Sequence, residues 1–313
     1  MRALGLVGAV LLLGCPGEPG EGVFVCTMDN QCPPGWVCAA PYCYSERPDA
    51  GVPVVVDTRP PSRTYTFVIQ RLQMYPGTET SRAGFNLDGS EGPTAGCAGA
   101  DYLSDVTSAP GVDNSFVELW TVVAAYTDYT AEPYGPRSAL HYRVGVGIVG
   151  IEVSGVDSLS NDPLVHVRVL EVNAVGELAI DEFGLLAGGT YRTTGLVFID
   201  EASQIVGSYL GPVGGSVSNP FPLPFDQGGA TFGLPIQLLT IGGRLRATGM
   251  DFAQLGGLIF GEDFTPWGES LGLGAIVNET TAATYLDTAL FGADCDTLSI
   301  GVDFSVVPAT FVD

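Results

Sequence analysis

Over residues 64–313 apolar and polar positions alternate in short runs. Tyr65, Phe67 and Ile69 form one such series, and Val165, Val167 and Val169 flank His166 and Arg168 in another. The clearest is Leu298, Ile300, Val302, Phe304 and Val306, with Ser, Gly and Asp between them. A period of two places every second side chain on one face and predicts β-strands. Apolar runs at 117–125, 144–153, 195–200 and 232–241 read as further strands. Two stretches carry a helical spacing instead. In 280–291, Ala282, Tyr285, Leu286, Ala289 and Leu290 share one face and Gly292 offers a stop. In 251–260 the spacing is weaker, because Gly256 and Gly257 disfavour a helix. The 43 glycines and 22 prolines supply many turns. No repeat of 20–50 residues is visible, which argues against a propeller or solenoid. The pattern predicts an all-β domain, a mostly antiparallel β-sandwich of jelly-roll type with one or two short helices.

The N-terminal region departs from this pattern. Arg2 precedes an unbroken apolar run over 3–13. That run is shorter than the ~18 residues needed to span a bilayer and fits the hydrophobic part of a secretory leader. Leu12-Leu13-Gly14-Cys15 at its end resembles the lipobox of bacterial lipoproteins. The resemblance implies a diacylglycerol group on the Cys15 thiol, removal of residues 1–14 and acylation, for instance with palmitate, of the new N-terminus. More than one acyl chain gives a stable anchor. Pro16 stands where inner-membrane lipoproteins carry Asp, so the resemblance implies the outer membrane. Residues 15–25, rich in Gly and Pro, read as a tether, and 44–63, with Pro48, Pro53, Pro60 and Pro61, as an extended linker.

Seven cysteines become six once Cys15 is lipidated, and an even number in an exported chain predicts three disulfides. Cys26, Cys32, Cys38 and Cys43 lie within a segment, 26–43, too short to bury a core, so cross-links must hold it. Four cysteines allow three pairings. The Cys-x5-Cys-x5-Cys-x4-Cys spacing resembles small extracellular knots, which implies Cys26–Cys38 and Cys32–Cys43. A zinc site would bring two ligands close, as in Cys-x2-Cys, and that spacing is absent. Cys97 and Cys295 are left to pair with each other. Closing so long a loop removes up to ~5 kcal/mol of unfolded-state entropy in the chain model, and the bond defines 64–313 as one domain.

The formal charge is −23, and every basic residue is arginine. Loss of the leader removes one arginine and no acid. Such a surface repels phosphate backbones, which excludes nucleic-acid partners, and attracts divalent cations. With 15% charged and 46% apolar residues the chain is globular rather than an acidic disordered tail.

Enzyme signatures are scarce. There is no Gly-x-Ser-x-Gly elbow, no His-Glu-x-x-His helix and no phosphate loop, which would need a lysine. Of the two histidines, His166 sits mid-strand as a face residue and His141 lies beside Tyr142 near a strand start. Trp120 and Trp267 read as packed core. A loop of roughly thirty residues from Gly84 to Asn114 carries Asn86, Asp88, Asp101, Asp113 and Asn114, with Cys97 between them. Loops of that length are usually functional or ordered by a metal, and calcium takes oxygen ligands of this kind. Asn86, Asp88 and Ser90 match the start of an EF-hand, but Glu91 and Cys97 break the pattern. A plain acidic, solvated loop pinned by the disulfide is the first reading, and the alternative is an irregular calcium site with Asp88 and Asp113 as carboxylate ligands and Asn86, Asp101 and Asn114 as helpers. Tyr126, Tyr129 and Tyr134 cluster in a Pro/Gly-rich segment; tyrosines in turns more often cap a core edge, and the alternative is a sugar or peptide ligand.

The lipobox, the four-cysteine segment, Gly84-Phe-Asn-Leu-Asp-Gly89, Cys97, Gly111-Val-Asp-Asn114 and Cys295-Asp-Thr-Leu-Ser-Ile together resemble envelope lipoproteins of myxobacteria-like Gram-negatives. That resemblance implies a location and carries no activity. The expected function is a non-enzymatic outer-membrane lipoprotein that displays a β domain for adhesion or envelope interaction, with polysaccharide or envelope protein as partner. A carbohydrate-binding module and an unrecognised hydrolase are the alternatives.

Overall fold

A computed structural model describes residues 37–39, 42–44, 62–73, 80–88, 97, 101–126, 147–181, 184–214, 219–227, 230–288 and 295–313. The chain divides into two compact units, Met1–Thr58 and Arg59–Asp313, with the division inside the proline-rich segment 44–63. In the first unit, β1 (Val37–Ala39) and β2 (Tyr42–Tyr44) pair antiparallel, with Cys38 directly opposite Cys43. Cys15, Cys26 and Cys32, and with them the lipid site and the expected knot pairing, lie outside the described residues.

The second unit begins with β3 (Arg63–Gln73), β4 (Ser81–Arg82), β5 (Asp101–Ser104), β6 (Val112–Asp113) and helix α1 (Phe116–Tyr126). It continues with β7 (Ile148–Val156), β8 (Asn161–Ala174), β9 (Ile180–Asp181), β10 (Gly184–Leu185), β11 (Gly189–Val206), β12 (Tyr209–Val213) and β13 (Phe221–Gln227). The last elements are β14 (Ala230–Arg246), β15 (Gly249–Phe260), α2 (Phe264–Ser270), α3 (Glu279–Ala282) and β16 (Thr297–Val312).

The all-β class holds, and the sheet closes on itself. The order β3–β7–β8–β11–β12–β14–β15–β16 returns to β3, and every neighbouring pair in the ring is antiparallel. The result is an eight-stranded barrel where alternation predicted two facing sheets. Alternation is common to both architectures; the β12–β14 pairing, which joins the ends of the sheet, decides between them. Closure also pairs edges that would otherwise invite aggregation of a Gly-rich sheet, leaving β13 at its border. β13 extends the first half of β14, and the end of β16 runs parallel to the start of β11, Ala309–Val312 beside Gly189–Arg192.

Three local expectations change. Residues 117–125 form helix α1, not a strand: Phe116, Leu119, Trp120 and Val123 are buried at helical spacing. A short, uniformly apolar run fits both periods. Ser115 followed by Glu118 is the Ser-x-x-Glu start signal that marks the helix. Residues 251–260 belong to strand β15, paired on both sides. Among the described residues of 280–291 only one turn, α3, is helical. Asn278 caps it by accepting from Thr281 N at 3.1 Å, after which Asp287 and Thr288 turn to bond with β16.

β16 is covered on both faces. Leu298, Ile300, Val302 and Phe304 enter the apolar core, whereas Ser299, Gly301 and Asp303 face a layer built from residues 80–88, 101–115 and 287, with Gln254 beside Asp303. A Cβ at Gly301 would stand 2.3 Å from Ala83 O, and one at Gly256 2.7 Å from Phe85 Cδ2. These two glycines sit opposite each other in the β15–β16 register, so the layer rests on bare backbone. Phe116, Trp120, Phe264 and Trp267 stack α1 against α2 within the continuous apolar core, with Phe116 and Trp267 centroids 5.9 Å apart. Trp120 and Trp267 are both buried, as expected. Gly301→Ala pushes a methyl group into backbone that cannot move aside, and we expect it to cost about 1–3 kcal/mol in urea unfolding. A midpoint equal to that of the wild type would show that the layer does not rest on this strand.

Candidate functional site

The layer over β15 and β16 is held by side chains drawn from across the chain. Asn114 is fully buried, and its Nδ2 donates to Ala83 O (2.7 Å) and to Gly301 O (2.9 Å). Ser115 N donates to Ser299 Oγ at 3.0 Å. Asp287 accepts from Ser299 N at 2.8 Å and also from Ser299 Oγ. Arg82 donates to Asn114 O (2.7 Å) and Glu118 Oε1 (3.2 Å), with its guanidinium 3.6 Å from the centre of the Tyr102 ring. Tyr102 Oη donates to the same Glu118 oxygen at 3.0 Å. The disulfide Cys97–Cys295, with Cα atoms 5.5 Å apart, joins the loop to the chain just before β16. This is the pairing expected from the sequence.

The expected calcium residues take distinct positions. Asp113, 2% exposed, accepts Leu87 N (2.6 Å) and Asp88 N (3.3 Å) on one oxygen, while its own N–H donates to Phe85 O at 3.0 Å. Asp88 and Asp101 lie close enough to interact with one another electrostatically, and Asp287 joins them, acting on Asp101 and Asp113. Asn114 is an anchor for the layer. Asn86 borders a recess of about 390 Å³ with Phe85, Leu87, Pro212, Leu238 and Thr240. Asp287 is the member that the sequence did not point to, because it lies far along the chain and only its bonds to Ser299 of β16 bring it there. Among the described residues no three Asp, Glu, His or Cys side chains converge closely enough to hold a metal ion.

A second acidic pair lies on the same wall. Gln254 Nε2 donates to Asp105 Oδ1 (2.6 Å) and Asp303 Oδ1 (3.3 Å), one amide bridging two carboxylates. Its Oε1 receives Gly84 N at 3.5 Å.

Burial dominates the electrostatics of both groups. It pushes Asp113 up to about 7, against the lowering effect of the Leu87 N–H, and the Asp88 and Asp287 carboxylates push the same way. Asp303 rises to about 6 through burial and then through Asp105, with the Gln254 bond opposing. Asp287 is raised by burial in spite of its bonds from Ser299, and Asp101 is raised by burial followed by Asp88 and Asp287.

The other expected residues are scattered. Tyr126 ends α1 with 62% of its surface exposed; Tyr129 and Tyr134 lie outside the described residues, as does His141. His166 lies on the barrel exterior, with Nε2 2.8 Å from Asp200 Oδ1 and both side chains about half exposed. No protein-family model, curated protein or solved structure matches this chain.

A buried carboxyl whose pKa is raised keeps its proton in the folded chain at pH values where the unfolded chain has lost it. Folding is therefore favoured by acid, and stability falls as pH rises from about 4 through 7. For Asp113 the effect is on the order of a few kcal/mol. We expect a higher melting temperature at pH 5 than at pH 8. Asp113→Asn keeps an acceptor for Leu87 N and Asp88 N without the charge, so it should raise the melting temperature at pH 8 and shrink the difference. A wild-type melting temperature that climbs from pH 5 to pH 8 would refute this account.

Proposed function

We propose that this chain is a non-enzymatic lipoprotein of the outer membrane, anchored through Cys15. It displays the barrel and its covering layer for adhesion or for contact with other envelope components. The observation that carries the reading is the Cys97–Cys295 disulfide, because such bonds persist in oxidising, exported compartments. Leu12-Leu13-Gly14-Cys15 supplies the route out and the means of attachment. The arginine-only, strongly acidic composition keeps a Gly-rich β protein soluble at a surface. Intact mass of the protein recovered from membranes tests the anchor. A chain starting at Cys15 with diacylglycerol and acyl additions is expected. A free Cys15 thiol, or cleavage elsewhere, would remove the lipoprotein reading.

Calcium enters the proposal through ionised carboxylates alone. Bound at Asp88 and Asp113, with help from Asn86, Asp101 and Asn114, it would have to draw together carboxylates that do not converge in this structure, and it would replace the protons lost as pH rises. It should therefore raise the melting temperature at pH 8 and leave it unchanged at pH 5. Melting curves at pH 8 that coincide with calcium and with chelator would take calcium out of the proposal and leave the anchor untouched.

A further inference from the structure

Three hairpin turns meet at one end of the barrel: β7–β8, β11–β12 and β14–β15. Ser208 N donates to Ser160 O at 2.8 Å and Leu245 N to Ser208 O at 2.9 Å, which ties the turns together. Gly207 and Ser208 both have left-handed backbones, φ 59° and 68°, as a two-residue hairpin turn requires. Between the turns lies a recess of about 510 Å³, bordered by Leu159, Ser208, Arg244, Leu245 and Arg246. That volume falls within the ~300–1,000 Å³ range of small-molecule sites.

Two features mark this recess and its border: its arginines, and the Phe252 ring beside Arg244. The first is its charge. The chain has 12 basic residues against 35 acids, yet two arginines line one recess. Arg246 is matched by an ion pair with Asp251. Among the described residues Arg244 has neither an ion-pair nor a hydrogen-bond partner; its contact is the Phe252 ring, whose centre is 5.5 Å from the guanidinium carbon. The second is Phe252 itself. It is 59% exposed and held at φ 50°, a conformation unfavourable for a bulky side chain. The strain gains little apolar burial in return. Phe252 lies at the register shift of the β14–β15 pairing, which keeps its ring in solvent beside the Arg244 guanidinium.

We propose that this end of the barrel binds an acidic saccharide, with a sugar ring packed on Phe252 and its carboxylate paired with Arg244. The planar guanidinium fork matches a carboxylate through two parallel hydrogen bonds. The C–H face of a pyranose is apolar and packs on an aromatic ring, while its hydroxyls reach the Ser208 side chain and water. A long-chain lipid acid would need a deep apolar channel, and here Leu159 and Leu245 offer only a short apolar floor. The inference rests on the envelope reading, since acidic polysaccharide is met there, but the binding itself does not depend on the anchor.

Calorimetric titration of the full chain with trigalacturonate, and with the same oligomer methyl-esterified, tests it. The acid form should bind, with the ester weaker by about tenfold or more. Arg244→Gln should weaken the acid form by a similar factor and leave melting unchanged. Phe252→Gly should also weaken it while melting no lower than the wild type, because glycine accepts φ 50° without strain. Equal affinity for acid and ester, affinity unaffected by Arg244→Gln, or no binding of the acid form would overturn the proposal. Binding in a chain whose Cys15 proves unmodified would remove the lipoprotein reading and keep this site. An acylated chain that binds neither oligomer would do the reverse.

Discussion

Strand β16 must bury both of its faces, and the rest of the second unit is arranged around that requirement. Its apolar face, Leu298 to Phe304, closes the barrel core. Its other face is made of Ser299, Gly301 and Asp303, residues that are neither large enough to form a second core nor charged enough to face water alone. The solution is a polar layer laid directly on the strand. Asn114 bonds the strand backbone, Asp287 bonds the Ser299 backbone and hydroxyl, and Gln254 bonds Asp303. Each partner satisfies a group that would otherwise be buried without a hydrogen bond.

That arrangement brings carboxylates into places with little water. Asp113, Asp287 and Asp303 are each needed for a bond, and each is held where its charge is disfavoured. Protons are the simplest counter-charge, which is why the raised values of Asp113 and Asp303 follow from the layer. The disulfide acts on the same segment by another route: it limits how far the loop can wander in the unfolded chain, so fewer bonds are needed to order it. The end of the barrel where the β7–β8, β11–β12 and β14–β15 turns meet is built differently. Its turns are held by backbone bonds, and Arg244, Arg246 and the Phe252 ring stand there together with Asp251.

Much of this was legible in the sequence, and the parts that were not share a cause. The period-two run at 298–306 identified β16, and the small or polar residues between the apolar ones were visible as a second face. Cys97 and Cys295 were paired by parity, and Asp88, Asp101 and Asp113 were grouped because one loop carries them. Helix α1 was read as a strand because its run of apolar residues fits either period, although Ser115 and Glu118 marked its start. The helix expected at 280–291 shrank to one turn because Asp287 and Thr288 bond β16 instead of continuing the helical ladder.

By itself the sequence determined the class of the domain, the location of its best strand, the long-range disulfide and the acidity of one loop, because each follows from local spacing, parity or composition. Tertiary structure alone decided that the sheet closes into a barrel, since closure depends on the β12–β14 pairing between residues that carry no mark of each other. It alone brought Asp287 to Ser299 and Asp101, and it alone set Arg244 and Phe252 beside the turns of β7–β8 and β11–β12. These are contacts between distant segments. They are fixed by the register and twist of strands already folded, and no stretch of the chain contains that information separately.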